Sequence, residues 1–404
     1  MGKEKIITLV LAGGKGERLY PLTKDRAKPS VPFGGIYRII DFTLSNAINS
    51  GLRKIFVLIQ YKSFSLQRHI REGWNIFSRE IDEFIDVVPA QMRFSEEWYQ
   101  GTADSVFQNI YFLNQEKPDI VIILSGDHIY KMNYRNMLSF HKEKNADLTI
   151  GVFEVPCSQA NRYGVLKMDK DFHITDFQEK PARPEPSPLN PSISIISMGI
   201  YCFNTESLVK RLFEDAKNPN STHDFGKDII PLMLNKDKVY AFPFIDENKK
   251  ETKYWKDIGT IDAYYEANMD LINVDPLLNL YDRTWPIRTY QEQLPPAKTV
   301  FSRGDRAGIA TDSIISPGCI ISGAKTHRSI LSPWTKLHSY SQIEDSIILS
   351  DVQVGRYSKI KRAIIDKNVI IPPNTEIGYD TESDMKRFTV SENGIVVVAK
   401  NYLW

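Results

Sequence analysis

From residue 311 onward, aliphatic side chains recur at a step that neither a helix nor a flat strand produces. Ile348, Val354 and Ile360 follow one another at six residues, and Ile365, Ile371 and Ile377 repeat that step after an interval of five. A helix repeats its face every 3.6 residues and a strand every two. A six-residue step fits a parallel β-helix, where each short side of the coil turns one residue inward. Ile314 and Ile320 keep the step earlier, whereas the stretch from Lys325 to Tyr340 looks irregular. A run of ordinary antiparallel strands is the alternative.

The preceding two-thirds follow another rule. Ile6–Leu11, Ile55–Ile59, Ile120–Leu124 and Leu148–Phe153 are short apolar runs. Helical stretches lie between and around them: Ser45–Asn49, Ser105–Asn114, Tyr134–Lys144 and, later, Ile261–Ile272. Alternation of this kind predicts an α/β domain with a mostly parallel, Rossmann-like sheet covered on both faces. Beyond the last of these helices, Asp275-Pro276, Trp285-Pro286 and Leu294-Pro295-Pro296 punctuate a stretch with little periodicity. The expected organisation is therefore an α/β domain at 1-275, an ordered linker at 276-310 and a β-helix at 311-404. A chain of 404 residues fits more than one domain.

Composition removes several classes of function. Lys and Arg total 51 against 50 Asp and Glu, so no net charge draws the chain to nucleic acid or to an anionic membrane. Three scattered cysteines exclude a disulfide scaffold and a zinc ribbon. No apolar run is long enough to span a bilayer as a helix. Strand-like sequence begins almost at the first residue, so no leader is expected, and the expected compartment is the cytoplasm.

The strand Ile6–Leu11 runs into Ala12-Gly13-Gly14-Lys15-Gly16-Glu17-Arg18. Glycines let backbone N–H groups approach a polyphosphate, and Lys15 and Arg18 add charge. Neither a Walker A loop nor a clean dinucleotide fingerprint is present. Arg26 and Lys28 follow closely, and so many cations after one strand point to a nucleoside triphosphate. Asp127, in Ser125-Gly126-Asp127-His128, follows strand Ile120–Leu124 directly. Ligands of open α/β sheets sit beyond such strand ends, and an Asp there suits Mg²⁺ between phosphates. Asp257 is the second candidate. Spacing alone does not bring the two together. Lys180 is a candidate for a phosphate and Glu179 for sugar hydroxyls.

These segments in order, with Trp98-Tyr-Gln-Gly-Thr-Ala-Asp104, Glu179-Lys-Pro181, Ser197-Met-Gly-Ile-Tyr201 and Trp255-Lys-Asp-Ile-Gly-Thr260, closely resemble the glucose-1-phosphate adenylyltransferase family. The resemblance covers nearly the whole chain. It implies a left-handed β-helix after the catalytic domain, and formation of ADP-glucose and pyrophosphate from ATP and glucose 1-phosphate for glycogen synthesis. Carried over by position, Tyr99, Gly164, Glu179, Lys180 and Ser197 would bind glucose 1-phosphate. Gly13, Gly14, Lys15, Gly16, Arg18 and Lys28 would hold the ATP phosphates, with Gln91, Gly101 and Thr102 near the adenine. Asp127 and Asp257 would hold Mg²⁺. Lys15, Arg18, Lys28, Asp127 and Asp257 form the expected catalytic set.

The family also implies a tetramer, of one chain or with a paralogous subunit, and a metabolite effector. Arg38 matches a regulatory arginine of the family. Asp25 and Pro32 stand where well-studied bacterial relatives carry a lysine and a histidine that bind a sugar-bisphosphate activator, so weak or altered activation is expected. Two alternatives remain: a nucleotidyltransferase with another base specificity, and a noncatalytic regulatory subunit. Such subunits usually lose Asp127, Lys180 or the first-loop cations, all present here.

Overall fold

The computed structural model describes residues 4–90, 98–187 and 190–404. Strand Ile6–Leu11 lies inside a nine-stranded sheet, parallel to Lys54–Ile59 on one side and Ile120–Ser125 on the other. Phe84–Pro89 continues the parallel run to one edge. Beyond Ile120–Ser125 the long strand Ile193–Asn204 runs antiparallel and carries Leu148–Pro156 and Gly164–Met168. Ile174–Glu179 pairs antiparallel with Gly164–Met168, and Val239–Pro243 lies parallel to Leu148–Pro156.

The parallel strands read as continuous apolar runs because both faces are covered. Alternate residues enter two cores. Val10, Val57 and Ile122 meet helices Ile39–Asn49, Phe64–Gly73 and Tyr134–Glu143 on one face. Leu9, Phe56 and Val121 meet Thr102–Phe107, Ile110–Glu116 and Thr205–Asp215 on the other. The helix expected over Ser105–Asn114 is thus two. Asn109 divides them, its side chain turning back to the Ser105 carbonyl and to the Tyr99 hydroxyl, both at 2.8 Å.

The C-terminal part is a coil of three parallel sheets. Its period is 17 residues, as when Ser329 Oγ accepts from Ser346 N one turn on. Ile321, Thr326, Leu331, Leu337, Ile343, Ile348, Val354 and Ile360 fill its interior. The coil therefore runs straight through Lys325–Tyr340. That stretch looked irregular because Thr326 takes an aliphatic place and because the inward residue is Ile321, with Ile320 only half-buried beside it. The first coil strand, Lys298–Val300, pairs with Ile320–Ser322 and lies within the stretch read as linker. It carries no buried aliphatic to announce it.

Each turn bends through left-handed corners, which cost a side chain energy. Gly323, Tyr340, Tyr357 and Asn374 share one corner, and Arg328, Asp345 and Arg362 another. At the second, charges alternate, and Arg328 Nε meets Asp345 Oδ1 at 2.9 Å. The two parts share a further core. Outward-facing Ile330, Ile347 and Ile364 of the coil pack with Leu19, Phe33, Tyr264 and Tyr265.

Candidate active site

Two segments 130 residues apart form one ladder. Strand His128–Tyr130 pairs antiparallel with Trp255–Asp257, and Asp257 falls opposite His128. This register joins what spacing could not. Ligand atoms of Asp127, His128 and Asp257 all lie within 4.8 Å of one another. Gly126 N donates to Leu11 O at 3.0 Å, which seats the Asp127 turn at the carboxyl end of the first strand.

Lys28 joins this group. Its Nζ lies 2.7 Å from Asp127 Oδ2 and 3.0 Å from Asp257 Oδ1, with the side chain 9% exposed. Burial disfavours the ammonium, but the two carboxylates outweigh it and raise its pKa. Burial likewise pushes the Asp127 carboxyl up, yet Lys28 and His128 together hold it at about 2. Lys28 therefore stays an ammonium, and Asp127 a carboxylate, across the physiological range. His128 adds a ring nitrogen 3.5 Å from Asp127 Oδ1, and its buried Nδ1 has no protein partner.

The glycine loop closes on Lys28. Gly16 adopts φ 64°, and a Cβ there would lie 3.0 Å from both Lys28 Cβ and Thr23 Cγ2. Thr23 Oγ1 donates to Gly16 O at 2.8 Å. Gly14 faces open space. Lys15 is exposed, its ammonium 5.4 Å from the centre of the Tyr61 ring. Arg18 reaches the far side, where a Cβ on Gly259 would meet its guanidinium at 3.1 Å and Asp257 Oδ2 at 3.5 Å. Arg26 does not join these cations. Its guanidinium turns away to Asp366 of the coil, at 2.6 Å.

The residues expected at the sugar phosphate form the adjoining wall. Glu179 pairs with Gly164 across the outer strands. A side chain on Gly164 would collide with Phe177 and displace the Glu179 carboxylate, and one on Gly226 would displace the same carboxylate. Lys180 is exposed and its Nζ lies 2.7 Å from Glu179 Oε1. Ser197 precedes a bulge in Ile193–Asn204, and a Cβ on Gly199 within it would lie 3.1 Å from Ser125 Oγ. Tyr99 is half-buried, with its hydroxyl accepting from Asn109. Burial, countered in part by Asn109, raises its pKa.

Gly101 and Thr102 sit a little apart. A Cβ at Gly101 would overlap the His223 carbonyl at 2.2 Å. Thr102 Oγ1 donates to Asp224 Oδ2 at 2.9 Å and accepts from Phe225 N at 3.0 Å, so its one proton is committed to protein. Gln91 lies outside the described residues. Gln60 links the two halves of the cleft: its Cβ lies 3.3 Å from where a Gly13 side chain would start, and its Nε2 donates to Tyr99 O at 3.4 Å.

Three groups were missed by sequence reasoning. His128 is one. Tyr163 is another, joining the two walls: its carbonyl accepts from Lys180 N at 3.0 Å, and its ring packs 5.5 Å from Trp255. Asp224 is the third, through Thr102 and Gly226 N. The Gly-Asp-His triplet pointed to His128, and the stretch His223-Asp-Phe-Gly-Lys-Asp228 to Asp224; nothing local marked Tyr163.

Arg38 lies elsewhere. Its Nη1 donates to Ser65 O and Oγ at 3.0 and 2.8 Å, and burial lowers its pKa to about 10. With Asp25, Arg26, Arg68, Lys367 and Lys400 it lines a cavity of about 200 Å³ between the sheet domain and the coil. Among the described residues, no helix is long and apolar enough to cross a membrane.

Comparison with known proteins shows the family. Residues 7–274 match the nucleotidyl transferase family, whose members generally use a divalent metal, and 295–398 match the GlmU-like C-terminal hexapeptide family. A glucose-1-phosphate adenylyltransferase of Rhodopirellula baltica is 55% identical over 98% of this chain and 90% of its own length. Proteins of the same name from Koribacter versatilis and Methylococcus capsulatus are 54% and 53% identical over 98% of this chain and 95% and 94% of theirs. The ladder that joins Asp127 to Asp257, the glycine loop on Lys28 and the hexapeptide coil thus occur in a chain that belongs to the nucleotidyl transferases and, within them, to the glucose-1-phosphate adenylyltransferases.

Proposed function

We propose that the chain transfers the adenylyl group of ATP to glucose 1-phosphate, giving ADP-glucose and pyrophosphate for glycogen or another α-glucan. The observation that carries this reading is the convergence of Lys28, Asp127 and Asp257 beside a wall built from Gly164, Glu179 and Lys180. A phosphate oxygen of the sugar phosphate attacks the α-phosphorus, and the bond from that phosphorus to the β-phosphate oxygen breaks in line. The attacking phosphate is largely dianionic at neutral pH, since its second pKa is about 6. It needs no general base. The protein's task is to align two polyanions and to meet charge on the departing pyrophosphate.

Each residue then has a task. Backbone N–H groups of Gly13, Gly14 and Gly16, with Lys15 and Arg18, hold the triphosphate. Lys28 exchanges the two carboxylates for the α-phosphate, to which it brings a cation. Lys180 exchanges Glu179 for the sugar phosphate, which frees Glu179 to accept from sugar hydroxyls. Ser197 and Tyr99 border the sugar, and Gly164 makes room for it. Gly101 and Thr102 form the adenine wall by shape, since the Thr102 hydroxyl is already bonded. Asp127 and Asp257 would hold Mg²⁺. Their fit rests on two carboxylates that already converge on one cationic group, an oxygen donor set of the kind this ion takes. When bound, the ion neutralises phosphate charge.

Arg38 and its neighbours form the effector site in this reading. The cavity beside Arg38 is rich in cations, as a phosphorylated or carboxylated effector requires. Asp25 on its wall opposes a bisphosphate, so activation by fructose 1,6-bisphosphate is expected to be weak and to strengthen in Asp25→Lys. Assembly as a tetramer, alone or with a paralogue, and a cytoplasmic site of action belong to the same reading. The deciding experiment is pyrophosphate release from the purified protein with each of four nucleoside triphosphates and several sugar phosphates. Release confined to ATP with glucose 1-phosphate supports the reading. Release with another base, or none at all, overturns it.

A further inference from the structure

Asp366 belongs to the coil, just after strand Ala363–Ile365, yet its fully buried carboxylate faces the sheet domain. Its two oxygens accept from Arg26 Nη2 at 2.7 and 2.6 Å, and Oδ1 also accepts from Lys367 N at 2.7 Å. Arg26 is itself 5% exposed. It stands two residues before Lys28, whose ammonium bridges Asp127 and Asp257.

The chain between the two cations has little freedom. Ala27 is buried, and its carbonyl accepts from both the N–H and the hydroxyl of Ser30, closing the turn Lys28–Ser30. Pro29 fixes its own φ inside that turn. A displacement of the chain at Arg26 would therefore reach Lys28, and with it Gly16, which packs against Lys28.

Stability alone does not account for such a pair. Two buried charges are costly to desolvate, and a well-packed apolar pair in the same place is often at least as stable. The neighbouring interface is already apolar, built from Ile347, Ile364, Tyr264 and their neighbours.

We propose that Asp366 is a positioning residue for adenylyl transfer: through Arg26 it sets the place of Lys28 against Asp127 and Asp257. The coil thereby contributes to the chemistry of a site it does not line. This inference rests on the proposed function, which gives Lys28 its role at the α-phosphate.

The test replaces the pair by Arg26→Met with Asp366→Leu in the full-length protein. Thermal midpoint, kcat, both KM values and the ATP dissociation constant without sugar phosphate are measured. The expected result is a midpoint near wild type, a fall in kcat/KM for ATP of about tenfold to a hundredfold, and a KM for glucose 1-phosphate within about twofold. Should the double variant not fold, Asp366→Glu serves. It keeps the charge but displaces the carboxylate, and the same selective loss is expected in it. Wild-type values of kcat and both KM values in a folded variant would overturn the proposal, as would an equal rise in both KM values. The wild-type protein in the same assay separates the two claims. If it forms no ADP-glucose, the function falls. If it does while the variant matches it, only the positioning role falls.

Discussion

Several serine hydroxyls of the coil find acceptors close by in the chain, whereas the groups that shape the cleft of the sheet domain find theirs far away; the coil's Asp366, bonded to Arg26, is an exception. In the coil, Ser329, Ser341 and Ser346 donate to carbonyls of His327, His338 and Glu344, two or three residues away in the chain. In the sheet domain, Asn46 reaches the carbonyl of Tyr130, Tyr264 reaches that of Pro32, and Lys28 reaches Asp257. Local satisfaction can be repeated turn after turn, and it yields a scaffold. Long-range satisfaction is made once, and it draws distant segments together at one point. Only the second arrangement concentrates charge where a polyanion has to be held.

This contrast predicts that the two regions fail in different ways when altered. The largest effect is expected from Lys28→Met, which removes the ammonium between Asp127 and Asp257. Turnover should fall by about a hundredfold to a thousandfold, as for loss of one oriented charge in a site, while circular dichroism stays unchanged. A variant with half the wild-type rate would place the functional charge elsewhere.

Next is Leu337→Ala in the coil interior. Truncation of a fully buried leucine should cost about 2–5 kcal/mol in denaturant unfolding, with kinetics per folded molecule unaltered. A kinetic defect in the folded fraction would show that the coil interior is no mere scaffold.

Lys180→Ala should be milder and selective. The KM for glucose 1-phosphate is expected to rise about tenfold, or roughly 1.4 kcal/mol, through loss of one charge-assisted contact. The KM for ATP should hold. Equal rises would remove Lys180 from the sugar wall.

The smallest effect tests the coil's pattern. Thr326 Oγ1 is buried without a hydrogen-bond partner. Thr326→Val restores an aliphatic and should stabilise the coil by about 1 kcal/mol. A loss of stability would mean that the hydroxyl has a partner, such as a buried water.

The same contrast decides what could be read from the sequence. The repeat at Ile348, Val354 and Ile360 announced the coil because one side chain per side is turned inward. It lapsed near Lys325 because Thr326 satisfies the shape without the hydrophobicity, and because Ile320 and Ile321 are adjacent. The parallel strands were legible as apolar runs buried on both faces. The glycine loop and Asp127 were legible from their place after a strand. That Asp127 and Asp257 meet was not, since a ladder between distant strands has no local signature. Arg26 looked like one more cation of the phosphate loop. Its partner, 340 residues away, turned it to the coil. Tyr163 carries no motif and emerges from the packing of the outer strands.

One measurement bears most directly on the central claim that Asp127 and Asp257 make this cleft an adenylyl-transfer site. ADP-glucose formation from ATP and glucose 1-phosphate with Mg²⁺ is followed for the wild type and for Asp127→Asn under the same conditions. The account predicts steady product with matching pyrophosphate from the wild type. It predicts less than about a hundredth of that rate from a variant with an unchanged fold, since the amide keeps the shape but loses the charge. A well-folded Asp127→Asn protein that turns over at more than about a tenth of the wild-type rate would contradict it.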